Sequence, residues 1–81
     1  MITGLQIRAA RALLRWKAAK LAEASGITVQ TIQRLEQFDG LPASHMKTID
    51  AVHRALKAQG IEFIGGPDDA QGVKLHKNKL L

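Results

Sequence analysis

The chain has 81 residues, no cysteine, and 12 lysines and arginines against 7 aspartates and glutamates, for a formal net charge of +5. This length allows one small domain with a modest core, and the lack of cysteine excludes a disulfide framework and a thiolate zinc site. The positive charge favours a polyanionic partner without distinguishing DNA from RNA or an acidic membrane. Charges interrupt every apolar run near the N-terminus, so we expect neither a signal peptide nor a membrane span, and a cytoplasmic location.

The first predicted helix runs from Leu5 to about Arg15, with Thr3 as a candidate cap. Its apolar residues recur at i, i+4, i+7, i+8 and i+11, a spacing that predicts one buried stripe. The stripe contains Leu5, Ala9, Ala12, Leu13 and Trp16. We interpret the tryptophan as a core anchor at the start of the second helix rather than a base-stacking residue.

The segment from Leu21 to Glu36, with sequence LAEASGITVQTIQRLE, predicts two short helices joined by a tight turn. The first of them begins near Lys17. Gly26 can adopt the left-handed conformation that the reversal requires. Thr28 is a candidate N-cap for the next helix, which runs from about Val29 to Gln37.

The outward side of that helix has an unusual composition. Most surface helices carry glutamate and lysine, but this side carries three amides and one guanidinium: Gln30, Gln33, Arg34 and Gln37. Glutamine pairs bidentately with adenine, and arginine with guanine, at their major-groove edges. The pattern therefore favours a helix that reads duplex DNA.

A loop and a fourth helix follow. Asp39-Gly40 and Pro42 indicate a loop from residue 38 to 43, and Ser44 is a candidate cap for a helix over residues 45–59 that Gly60 ends. Its predicted buried stripe is Met46, Ile49, Val52 and Leu56. His53 borders this stripe, and the lack of a second ligand at i+3 or i+4 argues against a metal role.

The tail changes to a period of two, which predicts strands over residues 61–64 and 72–76 around a Gly-Pro-Asp loop. An isolated hairpin is marginal in water, and unpaired apolar strand edges recruit partners. We therefore predict a dimer interface in this tail, and the competing interpretation is a hairpin that folds back over helix four as a lid. The predicted interface residues are Ile61, Phe63, Val73 and Leu75.

The order Leu21-Ala22, Gly26, Ile27-Thr28, Ile32 and Leu35-Glu36 is similar to the helix-turn-helix of phage-repressor and Cro-type regulators, the Xre family. The chain resembles a short variant with a C-terminal β tail. The resemblance implies a mainly α fold, a four-helix lambda-repressor-like domain with a short C-terminal β-hairpin or dimer-forming strands. The implied divisions are a DNA-binding domain over 1–60, a dimerising tail over 61–76 and a flexible end over 77–81.

The resemblance also implies roles for individual residues. The predicted base contacts are Val29, Gln30, Gln33 and Arg34. The predicted phosphate contacts are Lys17, Lys20, Thr28, Thr31, Ser44, His45 and Lys47. A structural salt bridge is expected between Arg11 and Glu36, because arginine can bind a carboxylate with two parallel hydrogen bonds. Many relatives have Ser-Gln where this chain has Lys17-Ala18, so the phosphate-clamping glutamine is missing.

The predicted function is a sequence-specific, double-stranded DNA-binding transcriptional regulator, a repressor that acts as a homodimer without a cofactor. The alternative is an antitoxin-type protein-interaction module whose tail binds a partner protein. We do not expect an enzyme, because the three histidines, His45, His53 and His76, are spread along the chain and no acidic cluster suits a catalytic metal.

Overall fold

A computed structural model describes residues 2–40 and 44–77 of the chain. Within these residues four helices precede two antiparallel strands. The elements are α1 (Gly4–Leu14), α2 (Ala18–Ser25), α3 (Val29–Glu36), α4 (Met46–Ala58), β1 (Ile61–Ile64) and β2 (Gly72–Leu75). The mainly helical class and the C-terminal hairpin are therefore confirmed, with helix ends within one residue or so of those predicted.

Helix α1 begins in a capping box and buries a different face from the predicted one. The Thr3 side chain accepts a hydrogen bond from the Gln6 amide, and the Gln6 side chain accepts one from the Thr3 amide. Ile7 and Ala10 are fully buried, whereas Leu5 and Leu13 are each 43% exposed. The predicted stripe was wrong because α1 has apolar residues on two faces. The face that is buried also contains the polar Gln6, so its sequence pattern does not look like a core-facing stripe.

The turn between α2 and α3 forms as the sequence predicts. Gly26 ends α2 with a φ of 74°. Thr28 caps α3, because its hydroxyl accepts a hydrogen bond from the backbone amide of Thr31 at 3.3 Å. Ile32 and Leu35 on the inner side of α3 are buried in the core.

Gly4 lies where α1 meets the end of α3. A Cβ atom at this position would lie 1.9 Å from the carbonyl oxygen of Phe38 and 2.4 Å from that of Leu35. The Gly4 amide also donates to the carbonyl oxygen of Gly40 at 3.0 Å. The backbones therefore approach so closely that only glycine fits without displacement.

Helix α4 differs from its prediction at its start. His45 is the N-cap and makes no side-chain capping bond, so the expected cap at Ser44 was wrong. Met46 is 67% exposed, although Ile49 and Val52 are buried as predicted. Met46 lies about 90° around the helix from the centre of the buried stripe, at roughly 100° per residue, which explains its exposure. The predicted loop residues 41–43, including Pro42, lie outside the described residues.

The hairpin completes the monomer core. Ile61 pairs with Leu75 and Phe63 with Val73, so these four side chains share one face. Strand β1 packs on α4 and β2 packs on α1. Ile61 is only 2% exposed, and Phe63 and Val73 are partly buried against the same core. The prediction that Ile61 lies in a dimer interface was therefore wrong, because the hairpin covers the core as the lid interpretation expected.

Side chains from the start of α1 hold the far end of the hairpin. Gln6 Nε2 donates to the carbonyl oxygens of Ile64 at 2.9 Å and Gly72 at 3.2 Å. The Thr3 hydroxyl donates to the side-chain oxygen of Gln71. Because Thr3 and Gln6 are buried, these bonds satisfy polar groups that would otherwise be costly in the core.

Candidate nucleic-acid interface

The outer face of α3 is the most distinctive polar surface. Gln30, Gln33, Arg34 and Gln37 are all exposed, and their spacing of i, i+3, i+4 and i+7 places them in one row along the helix. Within the described residues, none of them takes part in a salt bridge or a side-chain hydrogen bond. Their donors and acceptors are therefore available to a partner.

The first turn of α3 places the remaining predicted contacts at the border of this face. Val29 is partly buried against the core, so it offers less surface than the prediction required. Thr28 is exposed, and its hydroxyl donates to the Thr31 hydroxyl at 2.9 Å. The two hydroxyls lie close together next to Gln30 in the sequence, and hydroxyl groups of this kind can bind a backbone phosphate.

Arg11 joins α1 to the end of α3. Its Nε and Nη2 atoms donate to the two carboxylate oxygens of Glu36, each at 2.7 Å, and Nη1 donates to the carbonyl oxygen of Trp16 at 2.8 Å. The Glu36 side chain is only 8% exposed. The hydrogen bond to Glu36 raises the pKa of Arg11, outweighing the opposing effect of burial. The expected ion pair is therefore present, with a third bond that sequence reasoning did not anticipate.

A second ion pair reinforces the first. Arg8 binds Asp39 in the loop that follows α3. Arg8 and Arg11 are three residues apart, and so are Glu36 and Asp39, so the two pairs run antiparallel along the same flank of α1. This matched spacing was a sequence signal that could have revealed Arg8 as a partner of Asp39.

The turn between α1 and α2 carries a basic surface. Trp16 is partly buried against the core, which agrees with its interpretation as an anchor, and Lys20 Nζ lies 5.9 Å from its ring centroid. Lys20 also pairs with Glu23 at 3.2 Å, so its charge is partly neutralised. An open depression here is lined by Arg15, Trp16, Lys17, Ala19, Lys20 and Glu23. Arg15 was not among the predicted contacts, and only the folded turn brings it to this surface.

The last predicted phosphate contacts lie at the start of α4. His45 and Lys47 are exposed and Ser44 is partly buried. No hydrogen bond among the described residues joins their side chains to α2 or α3. Hydrogen bonds therefore join Thr28 to Thr31 at the border of α3, and among the described residues no such bond ties Ser44, His45 or Lys47 to them.

No family model, curated protein or solved structure matches this chain. Within residues 2–40 and 44–77, no helix has the length and apolar character needed to span a membrane. The same residues contain no group of three or more histidine, aspartate or glutamate side chains placed to hold a metal ion.

Proposed function

We propose that this chain is a sequence-specific, double-stranded DNA-binding transcriptional regulator, a repressor with a lambda-repressor-like helix-turn-helix of α2 and α3. In this proposal α3 enters the major groove and acts within a homodimer. The observation that carries the proposal is the row of unpaired amide and guanidinium groups on α3: Gln30, Gln33, Arg34 and Gln37.

The chemistry of this row suits base edges better than it suits solvent. A helix about 10–12 Å wide fits a major groove about 12 Å wide. There the amide of Gln30 or Gln33 can both donate to and accept from adenine, and Arg34 can donate twice to guanine. A solvated surface helix gains nothing from this choice of residues over lysine and glutamate.

The supports of α3 favour a rigid reading helix. Thr28 caps its first turn, Arg11 holds Glu36 at its last turn, and Gly4 lets α1 approach its end. The cap and the ion pair restrain the two ends of this eight-residue helix, and α1 packs closely against its second end. Binding then requires little further ordering, which would otherwise reduce affinity.

Backbone amides and basic side chains supply plausible phosphate contacts. Lys17 is the N-cap of α2 and makes no side-chain capping bond, so it does not cap the first amides of that helix. Helix N-termini attract phosphate, and the exposed side chains of Arg15 and Lys17 add charge beside them. These groups would compensate for the missing glutamine at Ala18.

The homodimer follows from the size of the site. One recognition helix reads only a few base pairs, whereas a two-fold pair would read half-sites about 10 base pairs apart, centred about 34 Å from each other. Ile61 is not available for the contact because it lies in the monomer core. We therefore propose that the dimer interface lies on surfaces that are exposed in the monomer.

The test selects bound sites from random duplex DNA and then compares affinities. Arg34→Ala is expected to cost about 1–3 kcal/mol on the selected site and much less on random DNA, because base contacts specify and phosphate contacts position. Arg54→Ala, which removes an exposed arginine from α4, is the matched control and should leave the preference unchanged. Absence of any duplex binding at low salt would overturn the proposal, and equal losses on both DNAs would remove Arg34 from the base-reading set.

A further inference from the structure

Strand β2 has an open edge whose polar backbone groups can be assigned. The His76 amide donates to the carbonyl oxygen of Gly60 at 2.8 Å. Hydrogen-bonded and non-hydrogen-bonded pairs alternate in an antiparallel ladder, so Glu62 and Lys74 form the next bonded pair. The N–H and C=O groups of Val73 and Leu75 therefore point away from β1. Within the described residues no hydrogen bond occupies them.

An apolar surface lies beside this edge. Gln6 binds the start of β2 through Gly72, and β2 packs along α1. The three-residue step from Gly72 to Leu75 covers about 10 Å of strand, and the seven-residue step from Gln6 to Leu13 covers about 10.5 Å of helix on the same side. From these equal lengths we infer that Leu75 and Leu13 lie at about the same level, and the two side chains are 38% and 43% exposed.

The outward face of β2 is basic. Lys74 points to the side opposite Leu75, and the strand is followed directly by His76 and by Lys77 in a turn. Glu62, the acid on the neighbouring strand, is already bound to His76 Nε2 at 2.7 Å. Within the described residues neither Lys74 nor Lys77 has an ion pair. This edge thus combines unpaired backbone groups with an apolar surface, Leu13 and Leu75, on one side of the strand and the positive charge of Lys74 on the other.

We propose that the β2 edge binds an extended, acidic segment of a partner protein as a third strand. Alternate side chains of that segment would be apolar and lie on Leu13 and Leu75, and the side chains between them would be acidic and lie beside Lys74. Backbone pairing with Val73 and Leu75 supplies affinity, and the alternating pattern supplies specificity.

Charge separates this partner from a second copy of the chain. Two β2 strands paired about a two-fold axis would place their two Lys74 side chains opposite or diagonal to each other on one face, and like charges on neighbouring strands are destabilising. A partner helix could cover Leu13 and Leu75 but would leave the edge amides unpaired. An acidic strand can pair with the edge amides, cover Leu13 and Leu75, and neutralise the charge of Lys74 at the same time.

The first experiment titrates the labelled full chain with a hexapeptide of alternating valine and glutamate, followed by NMR. Saturable shifts centred on Val73, Leu75 and Leu13, with slowed amide exchange at Val73 and Leu75, are expected. The matched hexapeptide of valine and lysine should bind at least about fivefold more weakly, the equivalent of about 1 kcal/mol for a cross-strand charge pair. Equal binding of both peptides, or shifts confined to α3, would overturn the proposal.

Two variants test the components of the site. The double variant E62K/K74E keeps the net charge and the cross-strand attraction but reverses the charge on β2, so it should prefer the lysine peptide. Leu13→Ser should weaken the glutamate peptide about fivefold or more, whereas Met46→Ser, which removes an exposed apolar residue at the start of α4, should not. An unchanged melting temperature verifies that each variant is folded.

Sedimentation of the free chain tests the rival occupant. A dimer whose Val73 and Leu75 amides are already protected without peptide would assign the edge to a second copy and overturn the proposal. A free chain with exchanging Val73 and Leu75 amides supports it, whatever the outcome of the DNA-binding experiment.

Discussion

Helix α1 has two flanks, and each is joined to the rest of the molecule by a different kind of polar contact. On one flank, the charged Arg11 binds the carboxylate of Glu36 on α3. On the other, the neutral amide of Gln6 binds backbone carbonyls of the hairpin. The first contact joins a partly buried arginine to a buried glutamate, and in the second a buried glutamine binds partly buried carbonyl groups.

This difference indicates what each contact does. A partly buried ion pair adds little net stability because desolvation offsets its attraction, but its two-pronged geometry fixes register. A buried amide side chain that makes several hydrogen bonds adds stability because its loss leaves the buried Thr3 amide without an acceptor. We therefore expect the Arg11–Glu36 pair to control the orientation of α3, and the Gln6 contacts to add more stability than that pair does. The following changes test that division, from the largest effect to the smallest.

Gly4→Ala should have the largest effect. The added Cβ would overlap the carbonyl oxygens of Phe38 and Leu35, so the α3 flank must separate, at a cost of about 3 kcal/mol. Chemical denaturation measures this loss. Gly66→Ala is the matched control, because nothing lies within 4 Å of its added Cβ, and it should change the free energy of unfolding by less than about 1 kcal/mol. Equal effects of the two changes would contradict the close approach.

Gln6→Leu should come next and break the hairpin flank. It removes the side chain that accepts from the Thr3 amide and donates to Ile64 and Gly72, which should cost about 2 kcal/mol because the buried Thr3 amide loses its acceptor. Gln30→Leu makes the same change on the exposed side of α3 and should stay within about 0.5 kcal/mol. Hydrogen exchange should show β1 and β2 opening first in the Gln6 variant, and uniform loss across the chain would contradict a local role.

Glu36→Ala should lower the free energy of unfolding less than Gln6→Leu does, but it should weaken the proposed DNA binding more. It leaves Arg11 partly buried and without its carboxylate, so the single change should destabilise more than the double change Arg11→Met with Glu36→Leu. Arg8→Ala, which breaks the more exposed pair with Asp39, is the control and should cost under about 1 kcal/mol. Additive effects in a double-mutant cycle would show that Arg11 and Glu36 are not coupled.

The same two flanks separate what the sequence could predict from what it could not. Local signals placed the turn correctly, because Gly26 and Thr28 act through their own backbone and immediate neighbours. The partner of Arg11 was predictable through the family resemblance. The buried side of α1 was not, because both of its faces are apolar at helical spacing and the choice depends on where the hairpin packs. Ile61 was misplaced for the same reason, since a strand pattern does not specify whether its apolar side meets its own core or another chain.

The stability of the hairpin side should also respond to pH below about 6.5, the ordinary pKa of histidine. His53 packs edge-on against Phe63, with ring centroids 4.9 Å apart. Burial, assisted by the charge of Lys57, lowers the pKa of His53 from its ordinary value and outweighs the opposing effect of Asp50. The unfolded chain therefore binds a proton near pH 6.5 that the folded chain binds only at lower pH. The free energy of unfolding that this histidine contributes is present above pH 6.5 and is lost as the pH falls through the folded pKa.

Melting temperatures at pH 5.5 and 7.5 should differ more in the natural chain than in His53→Leu. His45→Gln, at the opposite end of α4, should keep the natural difference, and a His53→Leu variant that also keeps it would assign the titration to another group.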